Sequence, residues 1–298
     1  MNKTAVVSSL LILIAVIVLI AHLSTTGLEF SRYNQEWNGT SKFFTMLEEV
    51  EARDLSSYSE LNDEDNSLLL IISPQGPFTG EEAASIREFL GRGNTVFIAD
   101  ETREANPVLA WLGSDARVVP ANISSVETGY ADPRTVIAYP RGNDPLLANV
   151  PMVTLNRASA VSGGTPLLAT TLFSWDDRDG DGKMSEDEPL SSFPVLAVES
   201  VSGGTLYVLA DPSIFINGMV DTSGRDNGAL IGNLLSGNRT VLVEQSHSRT
   251  AGADRVLSLA LLAKDSMGIK IAALIVSVSI VLAAFFGRWT EEERWKHG

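Results

Sequence analysis

The 298-residue sequence predicts an α/β domain with a mostly parallel sheet, a more β-rich middle part and one transmembrane helix at each end. Three observations predict this fold class. Apolar strand-like runs alternate with helical segments across residues 67–112, short strand-like segments fill residues 135–200, and uncharged apolar segments occupy residues 5–21 and 271–286. Strands and helices that alternate at these lengths imply parallel pairing through right-handed crossovers.

The two apolar segments predict membrane spans. Each approaches the roughly 20 apolar residues that a helix needs to cross a bilayer. The first could instead be a cleaved signal peptide, but its 17 uncharged residues exceed the usual apolar region of about 7–15 and no A-x-A site follows. We therefore predict an uncleaved anchor at residues 1–23 and a second transmembrane helix at residues 269–287.

Basic residues beside the spans predict the orientation. They are Lys3, Arg288, Arg294 and Lys296. Because short cytoplasmic segments are enriched in Lys and Arg, both termini, including the tail at residues 288–298, are predicted to face the cytoplasm. The sequence thus predicts a cell-membrane protein whose spans contact lipid and whose residues 24–268 lie outside the cell.

The predicted outer segment is strongly acidic and has no cysteine. It holds 34 of the 37 Asp and Glu residues and 17 of the 22 Lys and Arg residues, a net charge of −17. This charge disfavours binding to nucleic acid or anionic lipid. The absence of cysteine excludes disulfides and thiol chemistry, and a segment of this length can bury a core without them.

The first α/β unit follows a segment at residues 24–66 that leads into the domain and carries its first helix. Residues 67–73 (SLLLIIS) form a continuous apolar run, as expected for a strand buried on both faces. Thr79 and Glu82 then form a capping box that opens a helix. Residues 94–100 (NTVFIAD) predict the next buried strand, and a short helix follows.

The middle of the domain predicts short strands. They are residues 135–140, 152–155, 166–175 and 193–200. The pentapeptide VSGGT occurs twice, at residues 161–165 and 201–205, and each copy predicts a tight turn before a strand.

The α/β pattern then returns in the last third of the domain, residues 67–250. Residues 204–211 (GTLYVLAD) predict a buried strand, Asp226 can cap a helix, and residues 240–245 predict the last strand. Residues 251–268 are predicted to contain an apolar juxtamembrane helix.

The order of these pieces resembles a known family. The segments that carry the resemblance are EFSRYNQEWNGTSKF at residues 29–43, the ISP-to-GRGNTVFIAD unit, YVLADPSIFINGM and DNGALIGNLL. They are similar to an uncharacterised prokaryotic family, domain of unknown function four-three-five-zero, over roughly residues 29–245. That family is similar to gliding-motility-type ABC-transporter accessory domains and to the intraflagellar-transport domain.

The resemblance implies a fold like that of class I glutamine amidotransferases, with a flavodoxin-like sheet. It also implies a membrane-anchored, non-enzymatic role beside a protein partner in a membrane complex. The amidotransferase reaction itself requires a cysteine nucleophile paired with a histidine, and this sequence has no cysteine. We therefore expect no amidotransferase activity.

Residues 177–188 match the twelve-residue calcium loop at every defining position. The predicted oxygen ligands are Asp177, Asp179, Asp181, the Lys183 carbonyl, Ser185 and Glu188. The alternative is an exposed acidic hairpin tip without an ion. Strand-like sequence before the loop and Pro189 after it predict a structural Ca²⁺ site between strands, with an affinity of about 0.1–1 mM.

A second candidate site lies at predicted strand ends. Its residues are Asp100, Asp211, Ser213, Asp226 and Asn227. Ligands of open α/β sheets bind beyond the carboxyl ends of strands, so these polar groups predict a small ligand site. The alternative is that the aspartates cap helices and loops.

Other polar residues give less information about function. Asn38, Asn122 and Asn238 each begin an N-x-S/T sequon and are candidate glycosylation sites. The residues next to His247 in the sequence suggest no catalytic partners for it, and no G-x-S-x-G motif accompanies it. We therefore predict a lone surface histidine.

Two functions follow from these observations. The first is a membrane-anchored binding or scaffold protein with a structural calcium site, acting as an accessory component of a transport or envelope complex. The alternative is an envelope-facing hydrolase that uses Asp100 or Asp211 as a general base. The alternative requires the two carboxylates to converge in a concave pocket.

Overall fold

The computed structural model describes residues 26–220 and 227–265. The strands of this part of the chain are β1 (Arg53–Leu55), β2 (Ser67–Ile72), β3 (Thr95–Ala99), β4 (Arg117–Val119), β5 (Ile123–Ser125), β6 (Ile137–Pro140), β7 (Val153–Thr154), β8 (Ala160–Ser162), β9 (Thr165–Thr170), β10 (Ser174–Asp176), β11 (Pro194–Val201), β12 (Gly204–Leu209) and β13 (Thr240–Glu244). The helices are α1 (Ser41–Glu49), α2 (Gly80–Gly91), α3 (Asn106–Leu112), α4 (Asn217–Val220), α5 (Asn227–Leu235) and α6 (Ala251–Asp265).

Nine strands form the main sheet in the order β1-β13-β2-β3-β12-β11-β9-β6-β7. The first five of these strands are parallel to one another. Their continuous apolar sequences place alternate side chains in two cores, one on each face. Leu68 and Leu70 of β2 join the core that includes α1 and α5, whereas Leu69 and Ile71 join the core beneath α2 and α3.

The other half of the main sheet is antiparallel, from β12 through β11, β9 and β6 to β7. The second VSGGT copy makes the change of direction. Val201 pairs with Gly204, and the two residues between them, Ser202 and Gly203, have φ angles of +56° and +100°. Two consecutive left-handed residues form the turn that a two-residue β-hairpin requires. The turn was therefore predicted correctly, but it joins two antiparallel strands.

These pairings correct the predicted fold class. The sequence predicted a mostly parallel flavodoxin-like sheet, whereas the domain is α/β with a mixed sheet. Two separate antiparallel pairs, β10 with β5 and β4 with β8, bring the antiparallel pairings to six and leave four parallel ones. β11 and β12 are antiparallel because a two-residue turn, rather than a crossover helix, connects them.

Predicted membrane spans at residues 5–21 and 271–286 lie outside the described residues. Within residues 26–220 and 227–265, no helix is both long and apolar enough to cross a membrane. The flanking transmembrane helices of the predicted fold class therefore have no counterpart in the described part of the chain.

Local predictions agree more closely with the structure. Thr79 and Glu82 form the predicted capping box, with the Thr79 N–H donating to Glu82 Oε2 at 2.7 Å and the Glu82 N–H donating to Thr79 Oγ1 at 3.2 Å. The predicted strand at residues 166–175 is divided into β9 and β10 by a turn.

Candidate metal centre

The calcium-type loop, residues 177–188, begins directly after strand β10. β10 pairs antiparallel with β5, and Asp176 lies opposite Ile123 in this pair. After the loop, Ser191 bridges back to Ser174. The loop is thus held at both ends by β-structure, as its flanking sequence predicted, and not by the two helices that flank a calcium-sensor loop.

Asp177, at the first position of the loop, folds the chain around its own carboxylate. Its Oδ1 accepts a hydrogen bond from Gly180 N at 3.0 Å, and its Oδ2 accepts one from Gly182 N at 3.0 Å. Both glycines have a φ angle of +75°, a conformation that favours glycine. The glycines therefore allow the loop to curl so that its carboxylates can meet.

Three carboxylates of the loop converge. Oxygens of Asp177, Asp179 and Glu188 all lie within 4.8 Å of one another. Asp177 is completely buried and Glu188 is 2% exposed, whereas Asp179 is exposed. Among the ion pairs of the described residues, none involves these three side chains. Like charges at this separation repel, so the cluster favours a cation.

Glu188 is held in place by the backbone of its own loop. Its Oε1 accepts from Arg178 N at 2.7 Å, and its Oε2 accepts from Ser185 N at 3.1 Å. Burial raises the pKa of Glu188, but the hydrogen bonds from Arg178 and Ser185 outweigh burial, and the pKa lies below its ordinary value. The carboxylate is therefore charged at neutral pH.

Other predicted ligands do not join the convergent group. The exposed Asp181 accepts from Lys183 N through Oδ1 at 2.7 Å, and Ser185 Oγ donates to Asp187 Oδ1 at 2.7 Å. Lys183 is exposed. The structure thus brings together positions 1, 3 and 12 of the loop and directs the side chains of positions 5 and 9 to neighbouring residues.

Asn122 is a supporting residue of the loop that sequence reasoning missed. Its Nδ2 donates to the Asp177 carbonyl at 2.9 Å, and its backbone carbonyl accepts from Asp177 N at 2.9 Å. Ser124 Oγ, two residues later, lies 3.3 Å from Asp177 Oδ2. The sequence signal was present as the sequon Asn122-Ile123-Ser124, which we interpreted as a glycosylation site.

The strand-end residues do not form a common site. Asp100 follows β3 and is buried; its Oδ1 accepts from Thr102 N at 2.7 Å, and its Oδ2 accepts from Ala105 N at 2.8 Å. These are the contacts of a residue that closes its own loop. Asp100 therefore caps its own loop, which is the alternative to a ligand-binding role.

Asp211 is also occupied by backbone N–H groups. Its Oδ1 accepts from Ser213 N at 2.7 Å and its Oδ2 from Asn156 N at 2.6 Å. Burial raises the pKa of Asp211 to about 7, against the lowering effect of these hydrogen bonds. Since Asp211 and Asp100 each use both oxygens locally and are buried, the hydrolase alternative loses the geometry that it requires.

Ser213 and Asn227 have structural contacts as well. Ser213 Oγ donates to the Asn156 carbonyl at 3.2 Å. Asn227 pairs with the backbone of Thr154, accepting from its N–H at 2.8 Å and donating to its carbonyl at 2.8 Å. Asn227 therefore attaches α5 to β7. Asp226, the remaining member of the predicted site, lies outside the described residues.

Comparison with known proteins identifies the family. A family model described as "Domain of unknown function (DUF4350)" matches residues 32–235, about two-thirds of the chain. The chain belongs to this family. The matched range of the DUF4350 domain includes the calcium-type loop and the strand-end residues. No curated protein matches the sequence significantly.

Two solved structures resemble the DUF4350 domain weakly. The first, titled "mmIFT52 N-terminal domain", is 16% identical with a TM-score of 0.47, and the match covers 62% of this chain and 83% of that chain. The second is a beta-galactosidase from Bacillus circulans sp. alkalophilus, 12% identical with a TM-score of 0.34, covering 59% of this chain and 26% of that chain. Because both TM-scores are below 0.5, neither likeness indicates a function.

The sequons of the DUF4350 domain differ in accessibility. Asn238 is exposed, whereas Asn38 and Asn122 are half-buried. Asn38 Oδ1 accepts from Asn34 Nδ2 at 3.0 Å. Glycosylation at all three positions stays a prediction; a glycan on Asn122 would be attached to the Nδ2 atom that donates to the Asp177 carbonyl and would leave it a single N–H.

His247 was predicted to be a lone surface histidine, and this prediction was wrong. Its side chain is 12% exposed and stacks on Phe78 with 4.1 Å between the ring centroids. Nδ1 lies 3.2 Å from Glu244 Oε1, and Nε2 lies 3.5 Å from Glu82 Oε2. The hydrogen bond to Glu244 raises the pKa of His247. The cluster connects α2 to the segment after β13.

Proposed function

We propose that this protein is a calcium-stabilised binding or scaffold domain. The convergence of the Asp177, Asp179 and Glu188 oxygens within 4.8 Å, on a loop whose sequence matches the calcium motif, is the observation that carries the proposal. A Ca²⁺ ion would neutralise these carboxylates and could recruit the Lys183 carbonyl, Ser185 or water to reach its usual six to eight oxygens. We assign the ion a structural role because β-structure holds both ends of the loop.

An apolar surface at one end of the β5–β10 pair supports the binding role. Val126 and Leu172 are each 70% exposed, and Phe173 is 55% exposed. Val126 N donates to the Phe173 carbonyl at 3.2 Å, so the three side chains belong to one end of the β5–β10 pair, opposite the end from which the loop extends. Adjacent exposed apolar side chains are typical of protein interaction sites.

The proposal locates the domain outside the cell, at the membrane. The sequence supports this location through the apolar segments 5–21 and 271–286 and the basic residues beside them. Extracellular calcium modules bind with affinities of about 0.1–1 mM, which suits a structural site. The resemblance to gliding-motility-type transporter accessory domains favours a partner within a transport or envelope complex.

A calcium titration of the full chain in detergent tests the metal site. We expect the melting temperature to rise between zero and about 10 mM Ca²⁺, above the expected affinity range. Asp177→Ala combined with Glu188→Ala should abolish the rise. Glu186→Ala removes an exposed carboxylate from the same loop and should leave the rise unchanged. A wild-type melting temperature independent of calcium would refute the metal site.

Affinity capture from detergent-solubilised membranes tests the scaffold role. We expect the tagged full chain to retain a membrane-complex partner, and replacement of Val126, Leu172 and Phe173 by serine to release it. Capture of this chain alone at every salt concentration would contradict the scaffold role. It would leave the calcium site to be decided by the titration.

A further inference from the structure

A cavity of about 330 Å³ opens at the amino-terminal edge of the parallel strands, the edge opposite Asp100 and Asp211. Residues at the beginnings of four of these strands line it. Its main polar residues are Asn66, Thr95, Thr205, Tyr207, Asn233 and Arg239. Small-molecule sites usually have volumes of about 300–1,000 Å³, so the cavity is large enough for a metabolite-sized ligand.

Arg239 places an incompletely compensated cation in this cavity. One terminal nitrogen lies 3.5 Å from Thr95 Oγ1, and the other donates to the Leu234 carbonyl. The Nε–H is buried without an acceptor. Among the ion pairs of the described residues, none includes Arg239. Burial lowers the pKa of the guanidinium. Neutral groups of the protein therefore surround a cation that lacks a counter-ion.

The rest of the lining supplies neutral hydrogen-bonding groups. Tyr207 donates to Asp144 Oδ1 at 3.2 Å, and burial together with the Asp144 charge raises the pKa of Tyr207 to about 12. The phenol is therefore protonated at neutral pH. Thr95 and Thr205 add hydroxyl groups that can donate or accept. Such a lining matches a ligand that carries both an anionic group and hydroxyl groups.

We propose that this cavity binds a small hydroxylated anion of the sugar-acid or sugar-phosphate class, with Arg239 as the anion-binding residue. The planar guanidinium is suited to carboxylate and phosphate oxygens, and charge-assisted hydrogen bonds are the strongest that the lining can offer. A bound anion would supply the negative charge that no ion pair of the described residues provides for Arg239. The site is independent of the calcium-type loop.

Isothermal titration calorimetry of the full chain in detergent, at constant ionic strength, tests the proposal. The probes are glucuronate, glucose 6-phosphate, inorganic phosphate and neutral glucose. We expect saturable binding of glucuronate or glucose 6-phosphate, and at least tenfold weaker binding of glucose. Comparing the first two probes shows whether the site prefers a carboxylate or a phosphate. Arg239→Gln should weaken anion binding by about tenfold or more, because it removes the charge-assisted contact.

Two variants separate binding from folding. Arg87→Gln removes an exposed charge from α2, outside the cavity lining, and should leave binding unchanged. Arg239→Lys keeps the charge but loses the planar fork, so its affinity should fall between those of wild type and Arg239→Gln. The proposal is overturned if no anion saturates the site below about 50 mM, which corresponds to very weak binding. It is also overturned if a folded Arg239→Gln variant binds like wild type, or if glucose binds as well as the anions.

Discussion

The calcium-type loop and the strand-end aspartates contain the same functional group in opposite arrangements. In the loop, Asp177, Asp179 and Glu188 bring their oxygens within 4.8 Å of one another. At the strand ends, Asp100 and Asp211 accept from backbone N–H groups with both oxygens, as Asp177 and Glu188 do. Neither strand-end aspartate, however, belongs to a convergent group of three acidic side chains in the described residues. Backbone N–H groups hold carboxylates in both regions, so it is the convergence of three carboxylates that makes the loop the candidate metal site.

The largest expected effect is the loss of Asp211. Asp211→Ala leaves the buried N–H groups of Asn156 and Ser213 without acceptors, so we expect a loss of about 3 kcal/mol in the free energy of unfolding. Urea denaturation of the full chain measures it. Asp211→Asn keeps one acceptor oxygen and should lose less. A loss below about 1 kcal/mol for Asp211→Ala would show that its hydrogen bonds contribute little.

Stabilisation by calcium should depend on the loop carboxylates and not on the strand-end aspartates. At about 10 mM Ca²⁺, a site of about 0.1–1 mM affinity adds roughly 1.4–2.7 kcal/mol to the free energy of unfolding. Asp177→Asn should lose this increment, whereas Asp211→Asn should retain it, as measured by denaturation with and without EGTA. Equal increments in the two variants would contradict the distinction.

The pH dependence of stability should single out Asp211. Its pKa is about 7 in the folded state, against an ordinary value of about 3.9. Between these values the folded state binds more protons than the unfolded state, so this group's contribution decreases as pH rises from 4 to 7. We expect wild type to lose stability relative to Asp211→Asn by roughly 1 kcal/mol per pH unit between pH 5 and 7. Parallel pH profiles for the two proteins would contradict burial of an ionisable Asp211.

The smallest expected effect is that of Asp181→Ala. The exposed Asp181 lies outside the convergent group and accepts only the Lys183 N–H in the loop. We expect stability without calcium to change by about 0.5 kcal/mol or less, as for most surface substitutions. The calcium midpoint should increase less than for Asp177→Ala in the same melting titration. An equal increase for both variants would make Asp181 a full ligand.

Sequence spacing could predict the loop and its setting because both depend on neighbouring residues. The positions of the aspartates, Gly182 and Glu188 lie within twelve residues, and the apolar run before them predicted β10. The same locality made the capping box of Thr79 predictable. The roles of Asp100 and Asp211 were harder to predict, because a polar residue at a strand end is equally typical of a ligand site and of a cap.

Long-range contacts explain the failures. His247 is buried by Phe78 and Glu82, residues far away in the sequence, and its neighbours in the chain gave no sign of them. The direction of β11 relative to β12 depended on whether Ser202 and Gly203 made a hairpin or led to a strand that pairs elsewhere. Periodicity predicts that a strand is buried, but not which strand lies beside it.

The position of β13 has a consequence for how the domain is made. β13, the last strand of the described residues, lies between β1 and β2, and β1 pairs with no other strand in the described residues. A ribosome must add roughly 185 residues after β1 before β13 emerges, which takes about 10–40 s at ordinary synthesis rates. For most of that interval, from the synthesis of β2 until β13 is made, one edge of β2 is open to other chains. The nascent chain is therefore more open to pairing at this edge than the finished domain, in which β13 covers it.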